Sequence, residues 1–224
     1  MKEATIRLKS VSIGYSRREP LLENIDFTIS PGEIVAITGP SGIGKTTLLR
    51  TIAGLVPQLS GNVEVCGRKR HPPRGKLGYI PQRLGLVRHG SVRHNVLMGA
   101  IAGHTSRWFP FSREANRLTN EAIISMGIED KMNTPVRRLS GGQQRRVATA
   151  RTLAQQPSLI LADEFLSELD QDTMKNVMQT MIQYIRDSES SLLMVEHDIT
   201  RAKAMADRLF VIENLELIEI EVEK

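Results

Sequence analysis

Short apolar runs alternate with amphipathic stretches along most of the chain. Residues 5–11 and 22–29 alternate apolar and polar positions, the period of strands with one solvated face. Ser30-Pro31-Gly32-Glu33 carries turn chemistry. The run behind it, Ile34-Val35-Ala36-Ile37-Thr38, predicts a strand buried on both faces of a parallel sheet. A helix is expected over 45–55, closed by Gly54 and Pro57. Further strands are predicted at 61–66, 77–80, 159–162, 191–196 and 208–212, and helices at 113–126, 143–155, 173–186 and 199–206. The last strand is expected to run on through Glu213-Asn214-Leu215-Glu216, which lacks a glycine turn. Residues 83–138 show no strand pattern and read as a helical insertion. Strands alternating with helices predict an α/β fold with right-handed crossovers.

Composition narrows the class. At 224 residues the chain is long enough for one large domain. No apolar run approaches the roughly 20 residues of a membrane-spanning helix, and with no apolar segment after Met1-Lys2-Glu3 no secretory signal is expected. One cysteine, Cys66, excludes an internal disulfide framework and suits the cytoplasm. The net charge is +5, unevenly spread: between Val65 and Arg113 there is no Asp or Glu, while ten Lys and Arg residues and four of the five histidines lie there. Such a stretch fits an anionic partner, a membrane face or nucleic acid, and equally fits a plain solvated surface.

Gly39-Pro40-Ser41-Gly42-Ile43-Gly44-Lys45-Thr46 matches the phosphate-loop pattern, with a buried strand before it and a helix after it. The glycines let successive N–H groups face an anion, and the helix start adds unsatisfied N–H groups and a positive dipole end. Lys45 is then a point charge for the β- and γ-phosphates, and the Thr46 hydroxyl a ligand for Mg²⁺. The apolar run 159–162 ends in Asp163 and Glu164, at the carboxyl end of a strand where ligands of open α/β sheets bind. Asp163 can hold Mg²⁺ through water, and Glu164 can orient or deprotonate an attacking water. Ser140 and Gln143, flanking Gly141 and Gly142, form a capping box and a second candidate anion site.

The phosphate loop, Leu139-Ser140-Gly141-Gly142-Gln143 and the Asp163-Glu164 strand end occur in an order and spacing that resemble the nucleotide-binding subunit of an ABC transporter. The resemblance covers nearly the whole chain. It implies a P-loop NTPase (RecA-like) core at 1–82 and 139–224, with an antiparallel β subdomain, and a helical subdomain at 83–138. It implies ATP and Mg²⁺ as cofactors, with Thr47 completing the phosphate loop. It matches Tyr15 to the residue that stacks on adenine, Gln82 to a glutamine of the Mg²⁺ and water network, Asp170 to a loop crossing the dimer interface, and His197 to a histidine that contacts the γ-phosphate. Read alone, Tyr15 also fits a packed edge-strand aromatic, His197 a surface histidine and Gln82 a turn residue after Pro81.

The family pairs two chains head to tail, so the resemblance implies a dimer with a second ABC ATPase chain, a homodimer or a pair with a paralogue, in which residues 140–143 of one chain close over ATP held by residues 39–46 of the other. It implies a transmembrane permease partner, a peripheral place on the inner face of the cell membrane and, for an importer, a solute-binding protein. Two departures stand out: Phe165 and Leu166 occupy positions where the family carries Pro and Thr, which puts packing near the expected dimer interface in question, and the last strand lacks the family's usual glycine turn; no regulatory domain is expected after it. Asn95-Val96-Leu97-Met98-Gly99-Ala100 and the segment 104–110 resemble ATPases of phosphonate-type importers, and Gln143-Gln144-Arg145-Arg146-Val147-Ala148 also suits importers. Trp108, Phe109 and Phe111 fit either a permease groove or packing within the insertion. A soluble ATPase acting on nucleic acid has only the basic stretch behind it, and nucleic acid is not an expected partner. An exporter subunit shares the same local motifs.

Overall fold

The computed structural model describes residues 3–69, 71–104 and 113–222. Trp108, Phe109 and Phe111, and with them the expected groove, lie outside the described residues. The central sheet has six strands in the order β10 (Glu216–Ile220), β9 (Arg208–Glu213), β3 (Ile34–Thr38), β8 (Ser191–Val195), β7 (Leu159–Asp163) and β6 (Leu77–Ile80). β3, β6, β7, β8 and β9 run parallel, and β10 is antiparallel to β9. A second, antiparallel sheet has the order β2 (Glu19–Ile29), β1 (Ile6–Ser16), β4 (Ser60–Val65) and β5 (Arg68–Lys69). Strand β5 is only two residues long, too short for a hydrophobic period to announce it.

Every residue of β3, β7 and β8 is buried, and their alternation sorts them onto two faces. Val35, Ile37, Leu159, Leu161, Leu193 and Val195 join the antiparallel sheet and α1 (Lys45–Ile52) in one core. Ala36, Ile160, Ala162, Leu192 and Met194 face the helices α2 (Val92–His104), α3 (Arg113–Ser125), α4 (Gly141–Ala154) and α5 (Gln171–Ser188) in the other. Strands covered on both sides carry no polar alternation, which is why they read as unbroken apolar runs. A last helix, α6 (Ile199–Met205), follows β8.

The ends of elements follow local chemistry. Helix α1 stops at Ile52, with Ala53 as its C-cap, three residues short of the predicted end, and Leu55 lies beyond it, 64% exposed. The expected continuation of the last strand is corrected: Asn214 and Leu215 both take positive φ (49° and 65°), and Glu216 returns to pair with Glu213. This is a two-residue hairpin made without glycine. The left-handed turn is stabilised by the Leu215 carbonyl, which accepts from the Glu23 N–H at 2.9 Å.

Helix α4 is buried on several sides, and its threonines survive there by bonding backward. Thr149 and Thr152 donate to the carbonyls of Arg145 and Ala148, each at 3.1 Å. Helix α2 crosses α4 so closely that a Cβ on Gly99 would overlap the Arg151 carbonyl oxygen, and one on Gly103 that of Gln155. Both obstacles are backbone, which cannot swing aside as a side chain can. Gly99→Ala should therefore cost about 1–3 kcal/mol of stability, read as a fall in melting temperature of roughly 2–12 °C. An unchanged melting temperature would show that the helices separate without cost.

Candidate functional site

Three strand ends converge at one edge of the central sheet. Beyond β3 the chain enters the loop at 39–46, beyond β7 it continues into Glu164, and beyond β8 into Glu196 and His197. A cleft of about 330 Å³ is lined by Tyr15, Leu21, Ser41, Gly42, Gly44, Lys45, Thr46, Thr47, Gln82, Glu164 and His197.

The loop delivers helix α1 with its start bare. Gly44 is the N-cap at φ 115°, no side chain caps the first turn and no acidic residue occupies it. The first N–H groups of such a helix have no intrahelical partner, and an anion satisfies them best. A Cβ on Gly44 would also press on Leu21 at 3.0 Å, so the position excludes larger residues by space as well as by φ. Lys45 is 5% exposed, and its Nζ donates to the Gly39 and Pro40 carbonyls at 2.6 and 2.8 Å. Burial pulls the Lys45 ammonium pKa down, and the neighbouring Glu164 and Asp163 push it up.

Two carboxylates face this loop in different states. Asp163 is 1% exposed and neither of its oxygens has a hydrogen bond of good geometry. Burial raises its pKa, with Thr46 as the main opposing contact and Glu164 adding to the rise. Glu164, by contrast, is held at both oxygens: Oε1 lies 2.5 Å from Nε2 of His197, and Oε2 accepts from Nε2 of Gln82 at 3.0 Å. Gln82, Glu164 and His197 are far apart in sequence and meet only because β6, β7 and β8 are neighbours. Tyr15 lies at the cleft mouth, 75% exposed, with its hydroxyl 3.3 Å from that of Thr47. The ring is not packed beneath anything, which removes the edge-strand packing alternative.

The second candidate anion site is separate. Ser140 caps α4: its Oγ accepts from the Gln143 N–H at 3.3 Å, and the Gln143 Oε1 accepts from the Ser140 N–H at 3.0 Å. Residues 140–143 line their own cleft with Arg146, Glu168, Asp170 and Thr173, and it shares no residue with the first. Within one chain the two sites are not brought together. Asp170 caps α5, accepting from the Thr173 N–H at 2.9 Å. Phe165 and Leu166 are fully buried and join the helix-side core, so the unusual pair anchors the turn after Glu164 from within.

Glu196 and Arg145 border the site and escaped the sequence reading. Glu196 is 3% exposed and its Oε1 has no partner. Burial pushes its carboxyl up to about 7, helped by Glu164 and Asp198 and opposed by Arg201 and the Leu166 N–H. The unfolded chain releases this proton near 4.5, whereas the folded chain keeps it to about 7. Stability is thus greatest below the lower value and falls as pH rises through that window, by about 3 kcal/mol at most. Glu196→Gln should flatten this slope and melt at a higher temperature than wild type at pH 8. Parallel pH–melting curves for the two proteins would contradict the assignment.

Comparison with known proteins gives a consistent result. The family described as ABC transporter matches residues 22–167. The chain is 38% identical to the hypophosphite import ATP-binding protein HtxD of Stutzerimonas stutzeri, over 93% of this chain and 64% of that one. It spans less than two thirds of that relative's length. It is 34% identical to the phosphonates import ATP-binding protein PhnC 3 of Nostoc sp., over 91% of this chain and 81% of that one. Among solved structures, the dimeric structure of MJ0796, a bacterial ABC transporter cassette, aligns with a TM-score of 0.87 at 30% identity, covering 98% of this chain and 99% of that one.

Proposed function

Because this chain belongs to the ABC transporter family, we propose that its hydrolysis of ATP drives an importer of a small oxoanion. The observation that carries the chemistry is the grip on Glu164, a carboxylate held at both oxygens beside a bare helix N-terminus. The relatives, import ATP-binding proteins for hypophosphite, phosphonates and taurine, support the direction and the solute class.

The site residues divide the work. Residues 39–47 wrap the phosphates, with Lys45 turning from the Gly39 and Pro40 carbonyls toward the β- and γ-phosphates. Thr46, Gln82 and Asp163 would hold Mg²⁺. The two enclosed Asp163 oxygens, neither with a hydrogen bond of good geometry, suit a hydrated cation. When bound, the ion neutralises charge shared by the β- and γ-phosphates. Glu164 orients and deprotonates the attacking water, His197 holds Glu164 and meets the γ-phosphate, and Gln82 positions the same water. Tyr15 offers its exposed ring to adenine. Tyr15→Ala should weaken ATP binding roughly tenfold and leave inorganic triphosphate binding unchanged. Equal loss for both ligands would remove the stacking role.

Residues 140–143 of a second copy close over the γ-phosphate, which explains two anion sites set in separate clefts of one chain. No helix among the described residues is long and apolar enough to cross a membrane. In this reading a membrane permease carries the solute, and helices α2 and α3 transmit closure to it from the inner membrane face. Uptake tests the reading. Cells deleted for this gene should lose uptake of phosphonate, hypophosphite or taurine, and regain it with the wild-type gene but not with the Glu164→Gln form. Unchanged uptake of all three would contradict the importer reading.

A further inference from the structure

Helix α4 reaches beyond its own capped end to the backbone of the catalytic carboxylate. Arg145 lies two residues after Gln143, with a side chain only 6% exposed. Its Nη1 donates to the Glu164 carbonyl at 3.1 Å, and its Nη2 meets Oε1 of Glu168 at 3.3 Å. Glu164 and Glu168 are both left-handed, at φ 52° and 64°, and neither is glycine. Such backbone persists only where its surroundings hold it. From below, the turn is held by the buried Phe165 and Leu166. The Ser167 N–H and Oγ donate back to the Glu164 carbonyl at 3.2 and 2.9 Å. From α4 it is held by one guanidinium. Glu168 completes the link, since its Oε2 fills the space that a side chain on Gly141 would take.

We propose that Arg145 is a positioning residue that ties the phosphate-facing end of α4 to the backbone of Glu164, so that docking at residues 140–143 is felt by the carboxylate of the same chain. The proposal rests on the two-chain reading above: residues 140–143 sense ATP held by the partner, and Glu164 acts on ATP held by its own chain. Arg145 then couples the two sites of a dimer from within each chain. The guanidinium is poorly suited to a purely stabilising role, because its Nε is buried without a partner. Its planar fork is suited to coupling, since it holds two groups in fixed relation where a lysine would hold one.

The test compares ATP hydrolysis by full-length wild type, Arg145→Gln, Arg145→Lys and Glu168→Gln. ATP-driven dimerisation is followed by light scattering in the same proteins carrying Glu164→Gln. Arg145→Gln should lower kcat roughly tenfold or more with KM within about twofold, and flatten any cooperativity in ATP. Dimers should still form. Arg145→Lys should recover part of kcat. Glu168→Gln should lower kcat about threefold, and add nothing to Arg145→Gln in the double variant. A kcat within twofold of wild type for Arg145→Gln, or a kcat loss matched by loss of dimers, overturns the proposal. If Arg145→Gln does not fold, Glu168→Gln carries the test, and an unchanged kcat there overturns it. Absence of ATP-driven dimers with Arg145 in place sinks the two-chain reading and this proposal together, whereas dimers with unchanged kcat sink the proposal alone.

Discussion

Glu164→Gln is expected to lower steady-state ATP hydrolysis by roughly a hundredfold or more while ATP still binds. The substitution keeps the shape and the hydrogen-bonding oxygen but removes the charge that draws a proton from water. Gln82 and His197 grip the carboxylate from both sides, so the uncharged amide still sits in the same place. The left-handed backbone at residue 164 is held by Arg145 and Ser167 through the carbonyl, which the substitution does not touch. Loss of turnover with retained binding therefore isolates the chemistry from the architecture. Binding is measured by equilibrium dialysis with labelled ATP and turnover by phosphate release. Turnover within a few fold of wild type would remove Glu164 from the catalytic role.

Lys45→Ala should weaken ATP binding by roughly a hundredfold, about 3 kcal/mol. The Lys45 ammonium is buried, lies among loop carbonyls and faces the two carboxylates. Without it, the repulsion of the triphosphate by Asp163 and Glu164 loses its nearest opposing side-chain charge. The loss should be large for ATP and ADP and small for AMP, which lacks the β- and γ-phosphates that Lys45 reaches. Titration of the three nucleotides against wild type and variant measures this. An unchanged ATP affinity, or an equal loss for all three nucleotides, would undermine the loop assignment.

Residues whose roles are local could be read from the chain alone. The phosphate loop is one continuous strand, turn and helix start, so spacing carries its whole geometry. The capping box at Ser140 and Gln143 is likewise a four-residue device. The meeting of Gln82, Glu164 and His197 is not local. It depends on which strands are neighbours, and here only the resemblance to a family placed the three together beforehand. Arg145 gave no signal, because α4 is buried on several faces and has no amphipathic stripe against which a buried arginine would look out of place. The terminal hairpin was missed for the opposite reason: Asn214 and Leu215 turn without the glycine that usually marks such a turn. Phe165 and Leu166 looked like a defect near an interface and proved to be buried anchors.

In the proposed dimer each active site is made from two chains, and mixing two separately inactive variants puts this to the test. Glu164→Gln spoils the hydrolytic half, and Gly142→Asp adds a carboxylate to the helix end that should meet the partner's phosphate. A mixed dimer contains one site in which both halves are intact. Equal amounts of the two proteins should therefore recover up to about a quarter of wild-type hydrolysis, with recovery growing as protein concentration rises. A mixture no more active than the sum of its two components would contradict the account.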